Sequence, residues 1–342
     1  MLEPREIVRA MPSAPLPVGK LPADMLARLL DQLGPTPAEV RVGPAIGEDA
    51  CAIDVPAGVL VAATDPITLT GREIGRIAVT VNANDVAVMG VRPRWFLAAV
   101  LMPVGTVESD VDGLFATMRA ALAAVGAVLV GGHTEITEAV AQPVVVGQML
   151  GLGDEHRLVA TEGVKPDDVV VQVGRAPVEG GAVLAEQPAH GAPALDVDVA
   201  RAAAAGLDDP GISVVEAALT AADLGATAMH DPTEGGLAAG LHELAAAAGV
   251  AVRVDRSRVL WFEPAVAVCR VLGADPWGVL ASGSLLAGFE PTAASGAVEA
   301  LAARGHAAAA IGVAETGSGV RDTDDRPIRW PERDEVARLR SP

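Results

Sequence analysis

Residues 70–90, Thr-Gly-Arg-Glu-Ile-Gly-Arg-Ile-Ala-Val-Thr-Val-Asn-Ala-Asn-Asp-Val-Ala-Val-Met-Gly, constrain this chain more than any other stretch. Ile74, Ile77, Ala78, Val81 and Val88 recur at helical spacing and predict one apolar stripe. Asn84 and Asp85 follow Val81 by three and four residues, so an amide and a carboxylate share that inward stripe, while Arg72, Glu73, Arg76 and Thr80 take the opposite face. Gly90 and Pro93 end the helix. A carboxylate turned inward is tolerable only beside a cation, a cationic side chain or a set of donors. Asp85 is therefore either a satisfied buried acid capping a neighbouring element or a ligand for something positive.

The flanking elements predict the layer that this helix covers. Residues 43–53 form a glycine-punctuated turn leading into a strand, with Glu48 and Asp49 at its apex. Strand 59–63 ends in Thr64-Asp65-Pro66, which places Asp65 at a sheet rim. A strand over 94–102 and an amphipathic helix over 109–125 follow, the helix turning Leu114, Phe115, Met118, Leu122 and Val125 inward and stopping at Gly126. Strand 128–130 runs into a turn, Gly131-Gly132-His133-Thr134-Glu135, where paired glycines would let a backbone approach a ligand and His133 is a turn residue or a donor to an anion. With a strand over 143–150, the order predicts an α+β layer with helices on one face of a mainly antiparallel sheet.

Polar residues 153–167 read as the crossing into a second domain. That domain opens with strand 168–173, makes an Ala-, Pro- and Asp-rich surface excursion over 187–212, and continues with helix 213–224 and extended residues 228–230. In Asp231-Pro-Thr-Glu-Gly-Gly-Leu237, Asp231 reads as an N-cap, Pro232 as the first helical residue and Glu234 as the capping-box acid. Leu237, Leu241, Leu244 and Ala248 form the buried face, and Gly249 stops the helix. Gly235 and Gly236 stand apart, since a glycine in a helix costs about 1 kcal/mol against Ala. Their presence implies that something approaches the backbone there, and a helix start is a natural anion seat. Strand 250–254, helix 264–272, turn 275–278, strand 284–289, a helix near 297–304 and a strand near 309–313 complete the domain. The expected organisation is an arm and helix over 1–40, a first domain over 41–152, a second over 165–316 and a charged, loosely held tail over 317–342.

Composition removes several classes of function. A formal net charge of −19 argues against nucleic-acid backbones and anionic membranes, and the absence of Tyr, with 2% aromatic residues, argues against base-stacking platforms. Cys51 and Cys269 make neither a disulfide framework nor a zinc site, which points to a reducing, cytoplasmic setting. No signal-peptide pattern opens the sequence and no apolar run approaches a membrane span. Lys20, in Pro17-Val-Gly-Lys20, is a candidate phosphate contact outside any Walker loop. The acids Asp49, Asp65, Asp85 and Asp231, with Glu135 beside them, fall at strand ends, helix starts or inward faces. Several such carboxylates with few bases suit a hard cation, above all Mg²⁺. Gly131-Gly132 and Gly235-Gly236 would present backbone N–H groups to the phosphates of a nucleotide.

Gly47-Glu-Asp-Ala50, Thr64-Asp65, Asn84-Asp85 with Met89-Gly90, Gly131-Gly132-His-Thr134 and Asp231-Pro-Thr-Glu-Gly-Gly-Leu237 occur in an order that resembles the aminoimidazole ribonucleotide synthetase superfamily over about residues 40–315. That superfamily includes thiamine-monophosphate kinase, selenophosphate synthetase and the hydrogenase-maturation carbamoyl dehydratase. The resemblance implies two α+β domains, the first a mixed sheet with helices on one face and the second an α/β layer, and a homodimer joined through the first domains' sheets. It implies ATP with Mg²⁺ on Asp49, Asp65, Asp85 and Asp231. It also implies catalytic places for Asp85 and His133, with Lys20, Gly131, Gly132, Thr134, Gly235 and Gly236 about the phosphates, and attack of an acceptor oxygen on the γ-phosphate. The chain looks most like the hydrogenase-maturation branch, from Asp231–Leu237 and from Ala281-Ser-Gly-Ser-Leu-Leu286. It departs from that branch at Glu234, where the branch has Arg, at His133, where it has Asp, and at Arg340-Ser341-Pro342, where it has a terminal Cys. The acceptor, small-molecule or protein-borne, is left open. The alternatives are a nucleotide-binding dimer acting as a partner or regulator, and a thiamine-monophosphate kinase.

Overall fold

The computed structural model describes residues 40–42, 47, 51–55, 58–68, 73–154, 156–186 and 192–340. Lys20, Asp49 and the expected arm over 1–40 lie outside the described residues apart from Val40.

The first domain is a six-stranded sheet. Its strands are β1 (Val40–Val42), β2 (Cys51–Val55), β3 (Gly58–Ile67), β4 (Pro93–Pro103), β5 (Val128–Thr137) and β6 (Val144–Gly153), in the order β1-β2-β3-β6-β4-β5. Every pairing is antiparallel except β4 with β5. Alternation along β3 and β4 buries Val59, Val61, Ala63, Phe96, Ala98, Val100 and Met102. Helices α1 (Ile74–Val88) and α2 (Glu108–Val125) pack against each other, and α1 lies over β3 and β6. Gly90, at φ +74°, ends α1 as the sequence predicts.

The expected inward stripe on α1 holds, but its solvent face does not. Thr80 is buried, and Arg76 alone among residues 74–88 keeps partial exposure. The reason is a second partner. The first-domain sheet covers one side of α1 and the second domain covers the other, through α5 (Val215–Asp223). Thr80 hides its hydroxyl by donating to the carbonyl of Arg76 at 2.9 Å. Arg76 reaches out to Glu73 and to Asp208 of the second domain.

The second domain is another six-stranded sheet, β12-β9-β11-β7-β10-β8, built from β7 (Val169–Val173), β8 (Ala228–His230), β9 (Val250–Val254), β10 (Leu285–Phe289), β11 (Ala308–Thr316) and β12 (Gly319–Asp322). Only β9 and β12 run parallel. Its helices are α3 (Val178–Glu186), α4 (Val197–Ala204), α5, α6 (Gly236–Ala248), α7 (Glu263–Leu272), α8 (Pro291–Ala303) and α9 (Glu335–Arg340). The crossing segment is packed rather than free, since Val159, Thr161 and Val164 are buried.

Three expectations fail here for identifiable reasons. The excursion over 187–212 contains α4, whose N-cap Asp196 accepts from the backbone N–H groups of Asp198 and Val199, and whose Ala203 is buried. Strand β3 continues through Asp65 to Ile67, so Asp65 is not at a strand end. The tail is not loose: β12 extends the sheet, and Ile328, Val336 and Ala337 are buried.

Candidate functional site

The two domains meet along the C-terminal half of α1. Asn84 is the hinge pin of that contact. Its Nδ2 donates to the carbonyl of Ile212 at 2.9 Å, and its Oδ1 accepts the backbone N–H of Val214 at 2.9 Å, all three groups being buried. Asn82, two residues earlier, serves the other side: its Oδ1 accepts the N–H of Asp65 at 2.8 Å and its Nδ2 donates to the carbonyl of Ala78 at 2.8 Å. One amide thus fastens α1 to its own sheet and the next fastens it to the neighbouring domain. Asp85 follows at 5% exposure.

The same helix touches β8. At the end of β8 lie His230, buried, and Asp231, at 1% exposure. His230 donates from Nε2 to Glu243 of α6 at 2.9 Å. The backbone at Gly47 rests on α6 as well, close enough that a Cβ there would meet the Glu243 carbonyl oxygen at 2.9 Å. Gly47, the helix of Asp85 and the strand that leads into Asp231 therefore converge on one interdomain junction.

Among the described residues, no three His, Cys, Asp or Glu side chains come close enough to hold a metal ion. The donors at the junction are hard carboxylate oxygens, the chemistry Mg²⁺ prefers. That ion takes one or two protein carboxylates and completes its shell with water and substrate phosphate.

Other expected site residues are placed elsewhere. Gly131, Gly132, His133, Thr134 and Glu135 do not form a turn. They lie within β5, paired in parallel register with Leu97–Leu101 of β4. Gly132, at φ +150°, is required because a Cβ there would sit 2.1 Å from the carbonyl oxygen of Ala98. His133 contacts Glu135 at 3.2 Å on the exposed strand surface. Three strand spacings separate β5 from the β3 strand of Asp65, roughly 14 Å at ~4.8 Å each. One chain therefore does not bring His133 and Thr134 to Asp65.

Asp231 is not a helix cap. The helix begins at Gly236 with Gly235 as N-cap, so Glu234 falls before the cap and no capping box forms. Thr233 and Gly236 close a tight turn, N–H to carbonyl at 3.0 Å. Gly235 and Gly236 take φ +81° and +66°, and a Cβ on Gly236 would meet the carbonyl oxygens of Val279 and Trp277 at 2.5 and 2.6 Å. What approaches this backbone is the chain's own 277–279 segment. The N–H of Gly235 is also engaged, donating to Oδ2 of Asp334 at 2.7 Å.

Residue-by-residue reading of the sequence missed the acids around that turn. Glu179 of α3 is buried, and burial pushes its carboxyl up to about 7, opposed by the Ser282 hydroxyl and reinforced by Asp334 and Glu234. Asp334 is pushed up to about 6, again first by burial, against the two N–H groups that it accepts. The one available signal was Glu179 itself, an acid beside Val178 and Gly180-Gly181 in an otherwise apolar run.

Family models for the two halves match in tandem. The AIR synthase related protein N-terminal domain matches residues 47–153, and the AIR synthase related protein C-terminal domain matches residues 165–325. The chain belongs to the AIR synthase related family. A family relative, the carbamoyl dehydratase HypE of Rhodobacter capsulatus, is 32% identical over 262 residues, covering 75% of this chain and 74% of its own. Among solved structures, HypE in a HypE–HypF complex superposes with a TM-score of 0.72 at 22% identity, covering 90% of this chain and 100% of that one. A hydrogenase maturation protein HypE in complex with ATP gives 0.69 at 22% identity, covering 86% and 92%. The family's two-domain α+β architecture is thus that of this chain. Among the described residues no helix is long and apolar enough to cross a membrane.

Proposed function

We propose that this protein is an ATP-using enzyme of the hydrogenase-maturation type, which binds ATP with Mg²⁺ at the domain junction and activates an acceptor oxygen by phosphoryl transfer. The observation that carries this reading is the burial of two acids, Asp85 at 5% and Asp231 at 1% exposure, on touching elements of the two domains. Similarity to a carbamoyl dehydratase and to a HypE structure in complex with ATP supports it. Asp85 and Asp231, with Asp65 and Asp49 where they reach, would hold Mg²⁺ through the phosphates. The ion supplies charge neutralisation for the transferring phosphoryl group. The chain's own residues orient and desolvate: Asn84 fixes the angle between domains, and the His230–Glu243 pair anchors the strand end that carries Asp231.

A homodimer belongs to the same proposal. Strand β5 is an edge of the first sheet and exposes Val128, Leu129, Val130 and Ile136, with Val130 and Ile136 each 52% exposed. An apolar edge strand of ten residues invites a second copy. Such pairing would bring His133 and Thr134 of one protomer beside those of its partner, at the sheet edge away from Asp65.

The test is calorimetric titration of ATP with Mg²⁺ into the wild type and Asp85→Asn. At least tenfold weaker binding by the variant is expected, and equal binding by both would remove the site. Single-turnover assays of ADP then separate the two chemistries: with carbamoylated acceptors, dehydratase-type turnover yields ADP with inorganic phosphate, whereas with thiamine monophosphate, kinase turnover yields ADP with the phosphoryl group on the thiamine product. ATP binding without ADP formation for any acceptor would make the protein a nucleotide-binding partner instead.

A further inference from the structure

The buried side chain of Asn82 enters the first sheet at one residue. Its Oδ1 accepts the N–H of Asp65 at 2.8 Å, and its Nδ2 reaches the carbonyl of the same residue at 3.4 Å. One amide thus addresses both the donor and the acceptor of Asp65, and these partners fix which end of the amide faces which. Nδ2 also donates back to the carbonyl of Ala78 at 2.8 Å, one turn earlier in α1, which holds the side chain against its own helix.

Strand β6 is shaped around this contact. Asp65 pairs with Gly147 across the β3–β6 ladder, and the Thr64 hydroxyl donates to the Gly147 carbonyl at 2.7 Å. A Cβ on Gly147 would run into the Asn82 amide, with Cγ of Asn82 and the Phe96 ring each at 2.9 Å. Gly147 does not take a left-handed φ, so space for the amide is what keeps a side chain out.

The clamp sets a spacing between two acids. Buried Val59, Val61, Ala63 and Ile67 mark the helix-facing series of β3, and alternation puts Asp65 within it. Asp65 is therefore on the side of the sheet that α1 covers. Asp85 follows Asn82 by three residues, a separation at which Cβ atoms on a helix are about 5–6 Å apart. The peptide of Asp65 is thus tied to the helix one turn from Asp85.

We propose that Asn82 is a positioning residue, clamping the Asp65 peptide to α1 so that the carboxylates of Asp65 and Asp85 face one divalent cation together. That the cation is Mg²⁺ arriving with ATP rests on the function proposed above. Asn82 acts through Asp65 and contacts neither ion nor nucleotide.

The competing account is an amide that only fills and satisfies the core, and volume separates the two. Asn82→Ala removes the clamp and leaves a hole. Asn82→Ala with Gly147→Ala returns a methyl to the place that the amide vacated. Thermal melts, and calorimetric titrations of ATP at a series of Mg²⁺ concentrations, are read for both variants beside Asp65→Asn and Asp85→Asn. The refilled double variant is expected to melt close to the wild type yet to need about 10–100-fold more Mg²⁺ for half-saturation, the usual cost of losing a group that orients a metal ligand. Adding Asp65→Asn to it is expected to cost nothing further, because the clamp works only through that residue. Where Asn82→Ala alone does not fold, the refilled variant carries the test. Wild-type Mg²⁺ dependence in the refilled variant, with affinity lost in Asp65→Asn and Asp85→Asn, overturns the clamp and leaves the proposed function standing. A further loss on adding Asp65→Asn overturns it as well. Unchanged affinity in Asp85→Asn instead removes the metal site, and the clamp with it.

Discussion

Gly236→Ala separates two explanations of the glycine pair in Asp231–Leu237. If the glycines exist to admit a ligand, an added methyl leaves the fold intact and removes binding. If they exist because the chain crowds itself, the methyl destabilises the fold with no ligand present. Gly236 sits at φ +66°, a region that costs a non-glycine residue roughly 1–2 kcal/mol. Its Cβ would also lie 2.5 Å from the Val279 carbonyl oxygen, 2.6 Å from that of Trp277 and 2.9 Å from the Val279 nitrogen. These are backbone atoms, unable to swing aside as a flexible side chain would, so an overpacking penalty of about 1–3 kcal/mol adds to the first. The expected loss is about 2–5 kcal/mol, or roughly 4–20 °C in Tm at ~2–4 °C per kcal/mol for a unit of this size.

Gly249 supplies the control. It ends the same helix at φ +67°, and nothing lies within 4 Å of its Cβ position. Gly249→Ala therefore carries the backbone cost without the clash, about 1–2 kcal/mol. Circular-dichroism melts and urea midpoints of both variants, without nucleotide, measure the difference. A Tm drop at 236 exceeding that at 249 by several degrees is expected. Equal drops, or a Gly236→Ala protein that melts like the wild type, would refute the packing explanation and return the turn to the ligand.

Other outcomes follow from single contacts. Asn84→Ala leaves the Ile212 carbonyl and the Val214 N–H unpaired in a dry interface, at about 1–3 kcal/mol each, so urea unfolding should show about 2–6 kcal/mol lost. Glu179 is raised from 4.5 to about 7, so its contribution is fully present below about pH 4.5 and is lost as pH rises through 7. Glu179→Gln should therefore gain on the wild type between pH 5 and pH 8, by on the order of 3 kcal/mol at most, read from melts at both pH values. The Cys269 thiol is buried and pushed up to about 12, so peptide mapping after iodoacetamide at pH 8 should find it unmodified in the folded protein and alkylated in urea. Val130→Lys with Ile136→Lys tests the proposed β5 pairing: by light scattering the double variant should be monomeric where the wild type is dimeric, with Tm changed by no more than a few degrees.

The burial of Asn84 and Asp85 was legible because helical periodicity places them with Val81 on an apolar stripe, but the partner of Asn84 was not, since it turns to Ile212 and Val214 of the second domain. The glycine stops at Gly90, Gly126 and Gly249 were legible for a similar reason: an end to helical pattern at a residue that tolerates positive φ is local information. The role of Gly131-Gly132 was not. A glycine pair before His-Thr reads as a turn until one knows that β4 runs alongside in parallel and that Ala98 presses its carbonyl against position 132. Asp231 failed as a cap because Gly236, at φ +66° against the 277–279 segment, starts the helix four residues downstream of Pro232.

By itself the sequence determined the α+β class, the buried face of α2 and the ordered motifs that mark the AIR synthase related family, because these depend on neighbours within a few residues. Only the tertiary structure decided which partner each polar group meets. It wrapped α1 from two sides and buried Thr80, carried β5 to an exposed edge away from Asp65, and brought Asp334 across 99 positions to the amide of Gly235. Contacts of that range follow from how two sheets and their last segment stack, which no local pattern encodes.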